Sequence, residues 1–217
     1  IAMPQMEGWG AGDLGVIFIM WTVMMVAMMV PSAAPMILMF STVRRQRSRG
    51  TKPLVATAAF ALGYLAVWTA FSAVATLAQW GLHSATLLSS QMGHVGPLIG
   101  GVLLVLAGIF QLTPLKHACL RHCRTPLGFL LAGWREGTWG AFAMGVKEGR
   151  YCALCCWALM ALMFVTGVMN VLWMGVIAAF VLVEKLFPRG DWIGRVTGVL
   201  LGGWGMWLIT GALLGAV

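Results

Sequence analysis

Long apolar runs separated by short clusters of charge make up most of this chain. Six runs are of spanning or near-spanning length: Leu14–Thr42, Leu54–Gly81, Val95–Thr113, Tyr151–Gly167, Val171–Phe187 and Trp192–Ala216. A helix needs roughly 20 mainly apolar residues to cross the hydrocarbon core of a bilayer. The pattern therefore predicts an all-α, polytopic transmembrane helical bundle of about six spans, forming one integral membrane domain over residues 1–217. Between the third and fourth runs, Pro114–Arg150 reads as a loop. Within it, Thr138–Val146 is moderately apolar but too short to span. It is either an interfacial helix or the first turns of a long fourth helix, and periodicity does not separate the two.

Composition strengthens the membrane reading. The 217 residues are 60% hydrophobic and 9% charged, with mean hydropathy +0.90, whereas ordinary soluble domains carry about 25% charged residues. In a soluble protein the net charge of +8 would suggest nucleic acid. Here its placement reports topology instead, and no nucleic-acid partner is expected. Arg44, Arg45, Arg47, Arg49 and Lys52 follow the first run; Lys116, Arg121, Arg124, Arg135, Lys147 and Arg150 occupy the loop after the third; Lys185, Arg189 and Arg195 flank the last. All fourteen basic residues fall on one side. The positive-inside rule makes that side cytoplasmic and puts both termini outside, as expected of a multi-pass protein of a bacterial inner membrane. Glu7 and Asp13 precede the first run, where a cleavable signal peptide would carry positive charge.

Candidate chemistry is confined to sulfur. Nucleotide-binding loops, dinucleotide fingerprints, serine-nucleophile elbows and paired catalytic carboxylates are missing from the sequence, so no enzymatic activity is expected. Cys152, Cys155 and Cys156 stand at i, i+3 and i+4, on one helix face at the cytoplasmic mouth of the fourth run. Met160 and Met163 continue that stripe inwards. Thiolate and thioether ligands select Cu(I), with zinc the second candidate, and a path graded from thiolate to thioether lets an ion move on. A second pair, Cys119 and Cys123, lies in the loop beside His117 and His122. One turn apart on a helix, those two cysteines can clamp an ion, and Lys116, Arg121 and Arg124 favour their thiolates. His122 would point about 100° away from Cys123. Five cysteines, all near the cytoplasmic face, argue against a disulfide framework.

The first run holds seven methionines, with Met20, Met24 and Met28 four apart and Met25 and Met29 in a neighbouring row. Methionine is adaptable filler at helix interfaces, but this density also suits a relay for Cu(I). Pro31 and Pro35 should kink or open the helix. Glu184-Lys185 reads as an ion pair at a helix end, snorkelling to the interface. Glu148, close in sequence to Cys152, has two readings: an acid neutralised by Lys147 and Arg150, or a proton acceptor or spare oxygen ligand.

In order along the chain stand Trp21…Met24-Met25-Val26-Ala27-Met28-Met29-Val30-Pro31-Ser32…Pro35, then Gln111-Leu112-Thr113-Pro114-Leu115-Lys116…Cys119-Leu120…Cys123-Arg124…Pro126, then Tyr151-Cys152…Cys155-Cys156-Trp157-Ala158-Leu159-Met160. Gly167-Val168-Met169-Asn170, Trp173-Met174 and Glu184-Lys185 follow. This set resembles a bacterial family of predicted metal-binding integral membrane proteins, classed as a domain of unknown function. Similar proteins often show His-Gly-Leu-Tyr-Cys-Leu-Gly-Cys-Cys-Trp, where this chain has Glu148-Gly149-Arg150-Tyr151 and Ala153-Leu154. If that histidine serves as a ligand or proton relay, Glu148 must replace it.

The resulting expectation is a Cu(I)-handling membrane protein. Its ligands would be Cys152, Cys155 and Cys156, assisted by Cys119 and Cys123, with transfer through Met160 and Met163 and the Met24/Met28 row. Its partner would be a cuproenzyme or a larger membrane complex. The alternatives are a membrane thiol–disulfide oxidoreductase and a structural accessory subunit.

Overall fold

A computed structural model describes residues 10–47, 53–85, 95–124, 128, 133–168, 170–187 and 190–214. Arg49, Lys52, Pro126, Met169, Arg189, most of the loop after the second run and the end of the last predicted span lie outside these residues. The described residues are helical almost throughout, without a strand: α1 (Ala11–Arg47), α2 (Pro53–Ser84), α3 (Pro97–Leu112), α4 (Pro114–Arg124), α5 (Gly137–Ala161), the single turn α6 (Met163–Thr166), α7 (Val171–Leu186) and α8 (Gly190–Leu213).

Proline sets several boundaries. It opens α2, α3 and α4, where its missing N–H would have had no partner anyway. Pro114 also forces the residue before it out of the helical region. Thr113 is extended (φ −70°, ψ 145°), and α4 restarts bent by 63° from α3. Pro31 and Pro35 behave differently. α1 runs unbroken through both, so the expected opening does not occur. The carbonyl of Met29 in this turn accepts from Ser32 Oγ at 2.9 Å and from Tyr64 Oη at 3.4 Å.

The segment Pro114–Arg150 is not an extended loop. Its first part is α4, and from Gly137 onward it belongs to α5. Thr138–Val146 is thus the start of a long fourth helix, because Gly140 and Gly145 let it pack closely while Gly137 (φ 78°) makes the entry turn. Four helices, α1, α2, α5 continued through α6, and α8, are long and apolar enough to cross a membrane, or five if bent α3–α4 counts as one span. α7 is apolar but only 16 residues long.

Two close helix pairs build the molecule, α2 with α5 and α3 with α8. A Cβ on Gly145 would collide with the carbonyl of Phe60 on α2. A Cβ on Gly108 would lie 2.6 Å from the carbonyl of Gly198 on α8. Small residues let membrane helices approach where apolar burial gives no net drive. α1 packs on α2, α4 on α5, and α7 against α1 and α8. One core joins Trp21, Met25 and Met29 of α1 to Cys155, Met160 and Met163. Many large apolar side chains face outward, Val16, Leu38, Leu62, Leu106, Val199 and Trp207 among them, as suits a surface solvated by lipid.

Candidate metal centre

The spacing read from the sequence becomes geometry on α5. Cys152, Cys155 and Cys156 are all buried, with 1%, 2% and 1% of their surface exposed. Cys155 Sγ and Cys156 Sγ both donate to the Cys152 carbonyl, at 3.1 and 2.9 Å, so the two sulfurs are held close together. The 63° bend at Thr113 lays α4 across α5. That brings Cys123 into contact with Cys155, thiol to thiol. Cys119 is buried within electrostatic reach of Cys155. All five thiols are free.

Cys152 is the thiol turned to the polar side. Its sulfur lies 2.9 Å from Lys185 Nζ and 3.0 Å from Tyr64 Oη. Lys185 Nζ also donates to Ser32 Oγ at 3.1 Å. These groups line a cavity of about 180 Å³ together with Cys123, Met36, Arg124 and Glu148. The proline turn of α1, the middle of α2 and the ends of α4 and α7 therefore meet at one point on α5.

Three residues here differ from their sequence reading. Glu184 and Lys185 do not pair with each other. Glu184 Oε1 accepts from Lys116 Nζ at 2.6 Å, both side chains buried, and Lys185 is thereby left to face Cys152. Consecutive helical residues point about 100° apart, so they serve different neighbours. Glu148 is not neutralised by Lys147 and Arg150 either: it is buried while both of those are exposed. Among the described residues its Oε2 has no hydrogen-bond partner.

The remaining candidates sit elsewhere. His122 stacks on Tyr151 with ring centroids 3.8 Å apart, and His117 Nδ1 lies 3.5 Å from Asp191. Met24, Met28, Met160 and Met163 are buried in the shared core behind the cavity; Met36 is the methionine on its wall. Tyr64, Ser32 and Met36 carry no site assignment in the sequence reading, and Lys185 enters it only in the Glu184-Lys185 pair. For Lys185 and Tyr64 a signal existed: a cation next to an apolar run, and one of only two tyrosines in the chain.

The cavity wall combines two thiols and a thioether, which are soft donors, with the cations Lys185 and Arg124 and the carboxyl group of Glu148. Among the described residues, though, no three His, Cys, Asp or Glu side chains form a ready metal-holding group. Cys155 and Cys156 instead donate to a backbone carbonyl, and Cys152 accepts from Lys185. Turning χ1 of these cysteines between staggered wells redirects the sulfurs without moving the backbone. Against this geometry stands one comparison with known proteins: residues 18–208 match a family model described as PpoB2, copper chaperone. The chain belongs to the PpoB2 copper chaperone family. No curated protein and no solved structure matches it. Membership in this family supports copper handling.

Proposed function

We propose that this chain is a membrane copper chaperone that takes Cu(I) as cargo between Cys152 and Cys123, with Cys155 and Cys156 behind them and Cys119 in reserve. The observation that carries this reading is the shared cavity, where thiols from α4 and α5 face a half-buried ammonium group. Two thiolates and one Cu(I) make a complex of charge −1. Lys185, 2.9 Å from Cys152 Sγ, offsets that charge, which matters because an unpaired charge is costly away from water. Two thiols release two protons on loading. Glu148, on the same cavity wall with an unpartnered oxygen, can take one of them. Met24, Met28, Met160 and Met163 then offer weaker thioether sites in the adjoining core, along which the ion leaves for a cuproenzyme or a larger membrane complex. By the placement of basic residues the thiols face the cytoplasm of a bacterial inner membrane.

The test is metal content of the purified protein after anaerobic loading, for wild type and for a Cys152/Cys155/Cys156→Ser variant. Wild type should retain copper in preference to zinc and the variant should lose it. Cys123→Ser should lower copper retention more than Cys119→Ser, since only Cys123 lines the cavity. Equal, near-zero copper in wild type and triple variant would overturn the reading.

A further inference from the structure

Arg150 is an exposed cation midway along α5, about 200° around the helix from Cys152. It stands roughly 20 Å from the start of that helix, beside Val67 in the middle of α2. Gly149 sets this register, because a Cβ there would lie 3.0 Å from Val67 Cβ. Arg150, Ala153, Leu154 and Trp157 recur at i, i+3, i+4 and i+7, one helix face. With Val67 and Phe71 of α2 they line a groove of about 320 Å³, apolar except for the guanidinium group. Among the described residues no acid pairs with that group. The chain has six acids, of which Glu7 lies outside the described residues. Asp13 accepts from the Gly10 N–H at the start of α1. Glu136 pairs with Arg44, Glu184 with Lys116 and Asp191 with Arg124. Glu148 is close in sequence but buried, on the wall of the cysteine cavity. The charged neighbours on the other flank of Arg150, Arg135 and Lys147, are cations.

We propose that this groove docks a transmembrane helix of another protein, one that carries an Asp or Glu midway along its span. Charge complementarity is the argument. A charged side chain deep in a spanning segment is costly unless it is paired, and the described part of this chain supplies no partner. A carboxylate on a second helix can stand at the depth of Arg150. A lipid phosphate is held at the membrane surface, roughly 15 Å from the midplane of the hydrocarbon core. The apolar walls of the groove then pack on the partner's side chains, and Ala153 leaves room for a close approach. A second copy of this chain does not fit, since its described acids are engaged or buried in the same way. The inference adds a partner to the copper reading without resting on it, because the groove and the cysteine cavity lie on different faces of α5.

The test places the full chain, free of copper, in phosphatidylcholine nanodiscs with a synthetic leucine–alanine helix of spanning length that carries Asp or Asn at its centre. Energy transfer between labels on the two reads their association. Wild type should bind the Asp helix roughly tenfold more tightly than the Asn helix. Arg150→Leu should abolish that preference, and Arg150→Glu should instead prefer a helix with a central Arg. Leu154→Ala/Trp157→Ala should weaken binding of both helices. Unchanged thermal unfolding of each variant separates loss of the groove from loss of the fold. Copper is absent throughout, so the outcome does not depend on what the cysteine cavity holds. Equal binding of the Asp and Asn helices by wild type, or an unchanged preference in Arg150→Leu, would overturn the proposal. So would release of the Asp helix by phosphatidylglycerol as effective as by its own unlabelled copy, which would assign Arg150 to a lipid phosphate.

Discussion

Lys185 is the residue whose surroundings say most about the cavity. Its ammonium group touches a sulfur and a hydroxyl, Cys152 Sγ at 2.9 Å and Ser32 Oγ at 3.1 Å, and among the described residues no carboxylate is hydrogen-bonded to it. A positive charge in a copper site looks counterproductive until the charge of the loaded complex is considered. Two thiolates outweigh one Cu(I), so the ammonium group is the neutralising partner rather than a competitor. Lys185→Met, which keeps the length and removes the charge, should therefore weaken Cu(I) binding, by at least about tenfold if the contact contributes the roughly 1.5–3 kcal/mol of a charged hydrogen bond. Lys185→Arg should lose less. Competition against a colorimetric Cu(I) chelator measures both, and tighter binding by the Met variant would show that the ammonium group opposes the metal. The cysteine stripe was legible from the sequence because i, i+3, i+4 spacing fixes a shared face. Lys185 was not, because its partner lies 33 residues away and only the packing of α7 brings the two together.

At the scale of elements, the bent pair α3–α4 was half legible. Pro114 marks the break, but the sequence could not say that the chain resumes as a helix laid across α5, and that docking is what carries Cys123 to Cys155. Polar ties also hold α4 to α7 and α8. Lys116 Nζ meets Glu184 Oε1 at 2.6 Å with both side chains buried. Arg124 Nη2 donates to the Glu184 carbonyl at 2.6 Å, and its Nη1 reaches Asp191 at 3.4 Å. Removing one member of a buried pair strands the other charge and typically costs about 3–5 kcal/mol, whereas replacing both by apolar groups is often neutral. Lys116→Met should thus lower thermal stability in detergent sharply, and Lys116→Met/Glu184→Met should recover most of the loss. The single variant should also lower copper retention, since α4 loosens and takes Cys123 with it. If the double variant were the less stable of the two, the pair would be a stabilising contact in its own right.

For the whole molecule, the question is which helix interface the copper site depends on. The site draws Tyr64 from α2 and Cys152 from α5, so its geometry follows the α2–α5 separation. The α3–α8 pair stands apart at its far end, where Gly101 meets Gly205 and Ile209. Alanine substitution at either interface introduces a methyl group with no space: at Gly145 it meets the Phe60 carbonyl, and at Gly101 it lies 2.8 Å from the Gly205 carbonyl. Overpacking of this kind costs about 1–3 kcal/mol, partly offset by the roughly 1 kcal/mol that alanine gains over glycine within a helix. Gly145→Ala and Gly101→Ala should therefore lose comparable stability. Only Gly145→Ala should also weaken Cu(I) binding, because it pries α5 from α2 and draws Cys152 away from Tyr64. Thermal unfolding in detergent and chelator competition, run on both variants, separate the two effects. Equal loss of copper affinity at both positions would mean that the bundle responds as one body and that the cavity is not tied to the α2–α5 interface.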